Sequence, residues 1–208
     1  MSVRLDHLVY AAPDLERAVD EIEALVGVRA APGGRHLEEG TRNAILGLGG
    51  DSYLEILAPD PSQRRPDRPL WLGVEGLSRP RLTAWAVKGS GLEALVERAR
   101  AAGVRLGGVQ PGLRRRPDGT LLEWEFTDPH VVAAGGLVPF AIDWKSAAHP
   151  AAGAPAGVSL VALRAEHPDP AGVAALLRGL GLSLRVTKGR TPALIANLET
   201  PRGLVELR

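Results

Sequence analysis

Three helix-ending glycines set the frame of this chain. Gly27, Gly103 and Gly181 open the runs GVRAAPGG, GVRLGGVQPG and GLSLRVTKG, and they recur at near-equal intervals. Each glycine closes a stretch whose apolar residues recur at helical spacing: Leu15, Ala18, Val19 and Ile22 in the first, Leu92, Leu95, Val96 and Ala99 in the second, Val173, Leu176, Leu177 and Leu180 in the third. That spacing puts one apolar stripe on a helix, and a glycine supplies the left-handed backbone that stops it. A strand precedes each helix (residues 5–11, 81–87 and 158–163) and three follow it: 28–31, 41–48 and 53–58; then 109–116, 120–126 and 137–144; then 183–187, 193–198 and 204–207. Three βαβββ units of near-equal length predict one architecture used three times.

The punctuation agrees with this reading. Asp14 and Asp169 are placed to cap the first and third helices, with Pro170 in the first turn of the third, and Ser90 with Glu93 reads as a capping box for the second. Pro32-Gly33-Gly34 reads as a turn, Gly49-Gly50-Asp51-Ser52 as a hairpin connection and Pro117-Asp118-Gly119 as a hairpin tip. The units then span residues 1–58, 81–146 and 158–208, joined by proline-rich connectors at 59–80 and 147–157. Trp71 and Leu72 are expected to pin the first connector to the body. The fold class is α+β: antiparallel or mixed sheets curl around a cleft made by the first two units, with helices outside.

Composition excludes several functions. With 208 residues, 45% hydrophobic and 24% charged, the chain can bury a sizeable core and is ordinary for a soluble globular protein. A formal charge of +1 supplies no attraction to nucleic acid or to a membrane surface. No apolar run approaches the roughly 18 residues of a membrane-spanning helix, and the N-terminal run is no signal peptide. Cysteine is absent, which removes disulfides, zinc–thiolate sites and thiol nucleophiles. A cytoplasmic protein with a small-molecule ligand, and with neither nucleic acid nor membrane as partner, is expected.

Polar residues interrupt the apolar strands at a few positions. Charge arrives early, at Asp6. His7 shares a strand face with Leu5 and Val9, and Glu55 shares one with Tyr53 and Leu57. Read from the residues alone, the two are either a buried pair that fixes strand register or part of a site. His36 and Asn43, near Gly33-Gly34, either line a pocket or serve local turn chemistry. Arg114, Arg115 and Arg116 flank a hairpin tip, and alternation turns inward either Arg114 and Arg116 or Arg115 alone. Arg115 and Arg116 are candidates to grip a carboxylate or phosphate with two hydrogen bonds. Trp85, Trp124 and Trp144 are three of the chain's four tryptophans. Trp124 shares a face with Leu122 and Phe126, and with Trp85 it is a candidate pocket wall. His130 reads as surface, and His149 and His167 precede prolines outside the strands. No Ser/His/Asp spacing, phosphate loop or GxSxG elbow occurs.

The runs LDHLVYAAPDLERA, GGRH, GTRN and YLEIL, with RRRPDGTLLEWEF and PFAIDW in the second unit, resemble the glyoxalase-like domain proteins of the vicinal-oxygen-chelate superfamily. The resemblance covers most of residues 5–145; the third unit joins it only through the internal repeat. It implies paired units around a U-shaped cleft. In metal-dependent members, ligands from the first and last strands hold a divalent ion that chelates two neighbouring substrate oxygens. By resemblance, His7 and Glu55 occupy the first unit's ligand positions. The second unit departs from the pattern, with Ala84 where a ligand is expected and Asp143 near the place of Glu55. Glu206 stands at the matching place of the third unit, nearly as far beyond Val158 as Glu55 is beyond Leu5. The implied set is His7, Glu55 and either Asp143 or Glu206, for iron, manganese, zinc, nickel or cobalt, with no organic cofactor. The implied function is binding of a small oxygen-bearing molecule, anionic or aromatic, with lyase, isomerase or dioxygenase chemistry. The alternative is metal-free binding or sequestration of the bleomycin-resistance type. A homodimer would give the odd third unit a partner.

Overall fold

The repeat is realised three times in the computed structural model, which describes residues 4–37, 39–145 and 147–208. The first unit is β1 (Arg4–Ala11), α1 (Leu15–Val26), β2 (Ala31–His36), β3 (Thr41–Gly47) and β4 (Tyr53–Pro59). The second is β5 (Arg81–Lys88), α2 (Leu92–Ala101), β6 (Val109–Arg115), β7 (Leu121–Thr127) and β8 (Phe140–Asp143). The third is β9 (Ser159–His167), α3 (Pro170–Gly179), β10 (Arg185–Lys188), β11 (Ala193–Thr200) and β12 (Gly203–Leu207). None of the described helices is long and apolar enough to cross a membrane.

Asp14 caps α1 by accepting from the Arg17 amide, and Gly27, at φ 80°, closes it. Asp169 caps α3 through the Gly172 amide, with Pro170 in the first turn. The expected Ser90–Glu93 capping box is not used. Gly91 itself takes the cap position of α2 in a left-handed conformation, with no side-chain cap bond, which leaves Ser90 one residue outside. Pro32-Gly33-Gly34 lies inside β2 and is not a turn. The pairing of β2 with β3 shifts register between Pro32 and Gly34. A Cβ on Gly34 (φ 142°) would sit 2.3 Å from the Arg115 carbonyl oxygen. These glycines mark a bulge and a close backbone approach, the two reasons a strand tolerates glycine.

Units one and two close into an eight-stranded barrel in the order β1-β4-β3-β2-β6-β7-β8-β5. Two antiparallel seams join them: β1 with β5, and β2 with β6, where His36 stands opposite Arg114. The third unit keeps its own four-stranded sheet, β10-β9-β11-β12. The apolar residues divide accordingly. Val9, Ile45, Leu57, Trp124, Phe126 and Ile142 belong to the cluster inside the barrel. Outside, Leu8, Leu46 and Ile56 pack with Ile22 of α1, Leu95 of α2 and Leu177 of α3 in a second cluster. Burying both faces of the barrel wall explains why β4 and β5 are buried along nearly their whole length. Residues 60–80 form neither helix nor strand, yet Leu70, Trp71 and Leu72 are buried in the inner cluster.

Candidate functional site

Buried polar side chains gather on the inner face of the barrel. Alternation on β4 sends Glu55 inward with Tyr53 and Leu57, and β1 sends His7 inward with Val9. His36 ends β2, Asn43 lies on β3 and Arg114 on β6; all five polar side chains are buried. His7, His36, Glu55 and Arg114 line one small chamber of about 20 Å³, with Tyr53, Trp71 and Trp124 among its other walls. That is close to the room one water needs. Trp71, Trp124, Phe126 and Trp144 also line a wider concavity of about 630 Å³, so these rings partition an inner from an outer space.

Asp6 organises the His7 side. The pairing of β1 with β5 shifts between Leu5 and His7, so Asp6 occupies a bulge, a device that re-aims side chains. Its Oδ1 stands 2.5 Å from His7 Nδ1, and its Oδ2 accepts from Trp144 Nε1 at 2.9 Å and meets His149 Nε2 at 2.8 Å. Burial pushes the Asp6 carboxyl up, but the bonds from His149 and His7, the His7 charge and the Trp144 bond outweigh it and hold it well below the usual carboxylate range. An ionised carboxylate only accepts, so His7 donates from Nδ1 and turns Nε2 to the chamber. There it faces Glu55 Oε2 at 3.6 Å. A histidine held this way by a carboxylate can give or take a proton at Nε2.

His36 is fixed from the other side. Thr41 Oγ1 accepts from Trp71 Nε1 at 3.0 Å and stands 3.1 Å from His36 Nδ1. With the hydroxyl donating to Nδ1, the ring's own hydrogen sits on Nε2, which faces Glu55 Oε1 at 3.6 Å. Burial, with smaller contributions from Arg114 and His7, outweighs the attraction of Glu55 and pushes the His36 pKa down to about 4, so the ring is neutral at pH 7. Asn43 Nδ2 donates to Glu55 Oε1 at 2.5 Å. The phenol of Tyr53, stacked on His7 with centroids 4.7 Å apart, is pushed well up by burial and by the charges of Asp6 and Glu55.

The structure thus brings together His7, Glu55, His36, Asn43 and Trp124. The other candidates lie elsewhere. Phe140 and Ile142 face the chamber from β8, so Asp143 points the other way, accepting from the Lys145 amide and pairing with its ammonium at 3.6 Å. Glu206 belongs to the separate third sheet and pairs with Arg164 at 2.8 Å. Trp85 packs in the outer cluster and donates to the Leu137 carbonyl. Because Arg114 is the inward residue of β6, Arg115 is turned out, and Arg116 follows the strand's end; both border an outer groove. Other residues of the site carried no signal of their own in the sequence: Arg114 was one of two parities, and Trp71 and His149 sit in the connectors.

A divalent ion would need His7, Glu55 and a third donor. His36 offers a third donor, its Nε2 3.6 Å from Glu55 Oε1, but among the described residues no three His, Asp or Glu side chains converge as ligands of one ion. The chemistry of the chamber agrees: Asn43 occupies Glu55 Oε1, and the guanidinium of Arg114 would place a fixed positive charge beside the ion. As placed, His7, His36 and Glu55 form no ligand set for a resident divalent metal.

Comparison with known proteins places this geometry in context. A glyoxalase-like domain family matches residues 5–181. No curated protein matches the chain in sequence. Among solved structures, a hypothetical protein from Staphylococcus aureus superposes with TM-score 0.66 over 99% of this chain and 85% of its own, at 12% identity, and shows the fold. Methylmalonyl-CoA epimerase from Mycobacterium tuberculosis is 21% identical, with TM-score 0.44, over 67% of this chain and 87% of its own. The Streptomyces coelicolor epimerase in complex with 2-nitronate-propionyl-CoA is 26% identical, with TM-score 0.45, over 69% and 96%.

Proposed function

The chain belongs to the glyoxalase-like domain family of the vicinal-oxygen-chelate superfamily, and from that premise we propose that its barrel binds a small oxygen-bearing molecule without a resident metal. The polar head of the ligand enters the chamber between His7, His36 and Glu55, and its body lies against the tryptophans of the outer concavity. One observation carries the reading. The Nε2 atoms of His7 and His36 each stand 3.6 Å from an oxygen of Glu55, around a void of about 20 Å³. The polar atoms of His7, His36 and Glu55 that face the void are placed to bond a polar group set among them. The 3.6 Å gap is too long for a direct bond and leaves that place to a polar group from outside the chain.

The test is metal content and ligand response of protein purified without chelator, wild type beside His7→Ala. The expected result is substoichiometric metal in both, unchanged after incubation with manganese, iron, nickel or zinc. Tryptophan emission, by contrast, should respond to small hydroxylated or acidic aromatics in wild type and respond less in the variant. Near-stoichiometric metal that disappears in His7→Ala would overturn the metal-free reading.

A further inference from the structure

We propose that Arg114 is an anion anchor, and that the ligand of the chamber is a monocarboxylate with an uncharged planar body. The inference rests on the barrel being the binding site and names what it binds. Arg114 is 2% exposed, and its Nε has no hydrogen-bond partner. No carboxylate among the described residues reaches ion-pairing distance of its guanidinium, although other arginines, such as Arg35 with Asp60 and Arg42 with Glu16, are paired. A guanidinium keeps its charge, and an unpaired charge is the most costly group a protein can bury.

The surrounding strands hold the group in this position. Arg114 sits at the seam between the units, opposite His36 on β2 and Leu122 on β7. Gly34 leaves room for its stem, since a Cβ there would come within 3.0 Å of Arg114 Cγ. Glu55, the one carboxylate lining the same chamber among the described residues, is engaged by Asn43 and faced by two imidazoles. The missing partner is therefore an anion from outside.

Two features narrow its class. The flat fork of a guanidinium matches the two oxygens of a carboxylate, and a chamber of about 20 Å³ admits a head group and not a whole molecule. The body must remain in the outer concavity, against Trp71, Trp124, Phe126 and Trp144. Among the described residues, that concavity is lined by Glu39, Glu123 and Glu125 against one cation, Lys145. A second negative charge on the ligand would be repelled there, and a flat apolar body would be held by the rings. Aromatic monocarboxylates fit; dicarboxylates and phosphorylated tails do not.

Calorimetric titration of the full chain with 2-naphthoate, 2-naphthalenemethanol and naphthalene-2,6-dicarboxylate tests this. The monoacid should bind wild type at least tenfold more tightly than the alcohol and the diacid. Arg114→Met should abolish that preference, while Arg98→Met, on the exposed side of α2, should keep it. Thermal melts provide a second readout: the monoacid should raise the Tm of wild type and not that of Arg114→Met. Equal binding of acid and alcohol by wild type would overturn the anchor while leaving the barrel as the binding site. If no probe binds wild type, both readings fall. If Arg114→Met fails to fold, the wild-type comparison of acid, alcohol and diacid still decides the matter.

Discussion

Lowering the pH should weaken this protein through His36, and replacing that one side chain should flatten the response. The ring is 3% exposed, and its pKa is pushed from 6.5 to about 4, first by burial, then by the charges of Arg114 and His7 working against the attraction of Glu55. The folded-state value lies below the unfolded one. Above pH 6.5 neither state holds the proton and His36 contributes nothing to pH dependence. Below it the unfolded chain takes up a proton that the native ring refuses, so stability falls as the pH drops from 6.5 toward 4. At about 1.4 kcal/mol per pKa unit, the loss is about 2 kcal/mol at pH 5 and about 3 kcal/mol near pH 4. Guanidinium unfolding midpoints for wild type and His36→Gln, each at pH 7.5, 6.5, 5.5 and 5, measure the difference. The absolute stability of the variant is immaterial, because the slope carries the information. Wild type should lose about 2 kcal/mol more than His36→Gln between pH 7.5 and 5. Parallel slopes would show that the ring charges freely in the folded state, and the assignment of a neutral His36 facing Glu55 would be wrong.

Three further substitutions probe the supports of the chamber. Asp6→Asn removes the charge that His7, Trp144 and His149 converge on and should cost about 3 kcal/mol in chemical denaturation at pH 7. Because the Asp6 carboxyl lies below the ordinary range, wild type should keep that contribution at pH 5 and lose it only as the pH falls below about 4. Gly34→Ala puts a Cβ 2.3 Å from the Arg115 carbonyl at φ 142° and should cost about 1–3 kcal/mol, read from the urea midpoint. Gly112→Ala places a Cβ 2.2 Å from the Trp124 indole, which must move; a tryptophan emission maximum unchanged from wild type would contradict the packing of that ring.

Strand alternation made the face of His7, Glu55 and Trp124 legible, because each stands among apolar neighbours two positions away on a long strand. It stopped short at Arg114. The run of three arginines has two possible parities, and what selects one is the pairing of Arg114 with His36 across the seam between units, a contact that neither unit's own sequence contains. Trp85 failed for the opposite reason. Residues Leu82 to Val87 of β5 are all buried, so the strand has no polar face to reveal which side looks into the barrel. Asp143 lies on a strand of only four residues, too short to set its own phase, and Phe140 and Ile142 take the inner face.

The connectors hid the rest. His149 and Trp71 lie in proline-rich runs without periodicity, and their partners Asp6 and Thr41 are 143 and 30 residues away. Asp6 alone had a local mark: a charge next to a histidine inside an apolar strand cannot face opposite sides and leave both groups satisfied. A bulge removes that conflict by turning consecutive side chains toward one network, and β1 carries its register shift at that residue. The repeat predicted three copies of one unit, with the cleft expected between the first two, but not which strand edges would meet. Two units met edge to edge and closed, which buried an arginine, two histidines and a glutamate in one wall; the third unit, packed outside, left its corresponding acid, Glu206, to an ordinary ion pair. Site chemistry in this fold therefore combines the first unit's own His7, His36, Asn43 and Glu55 with an arginine that closure brings in from the second.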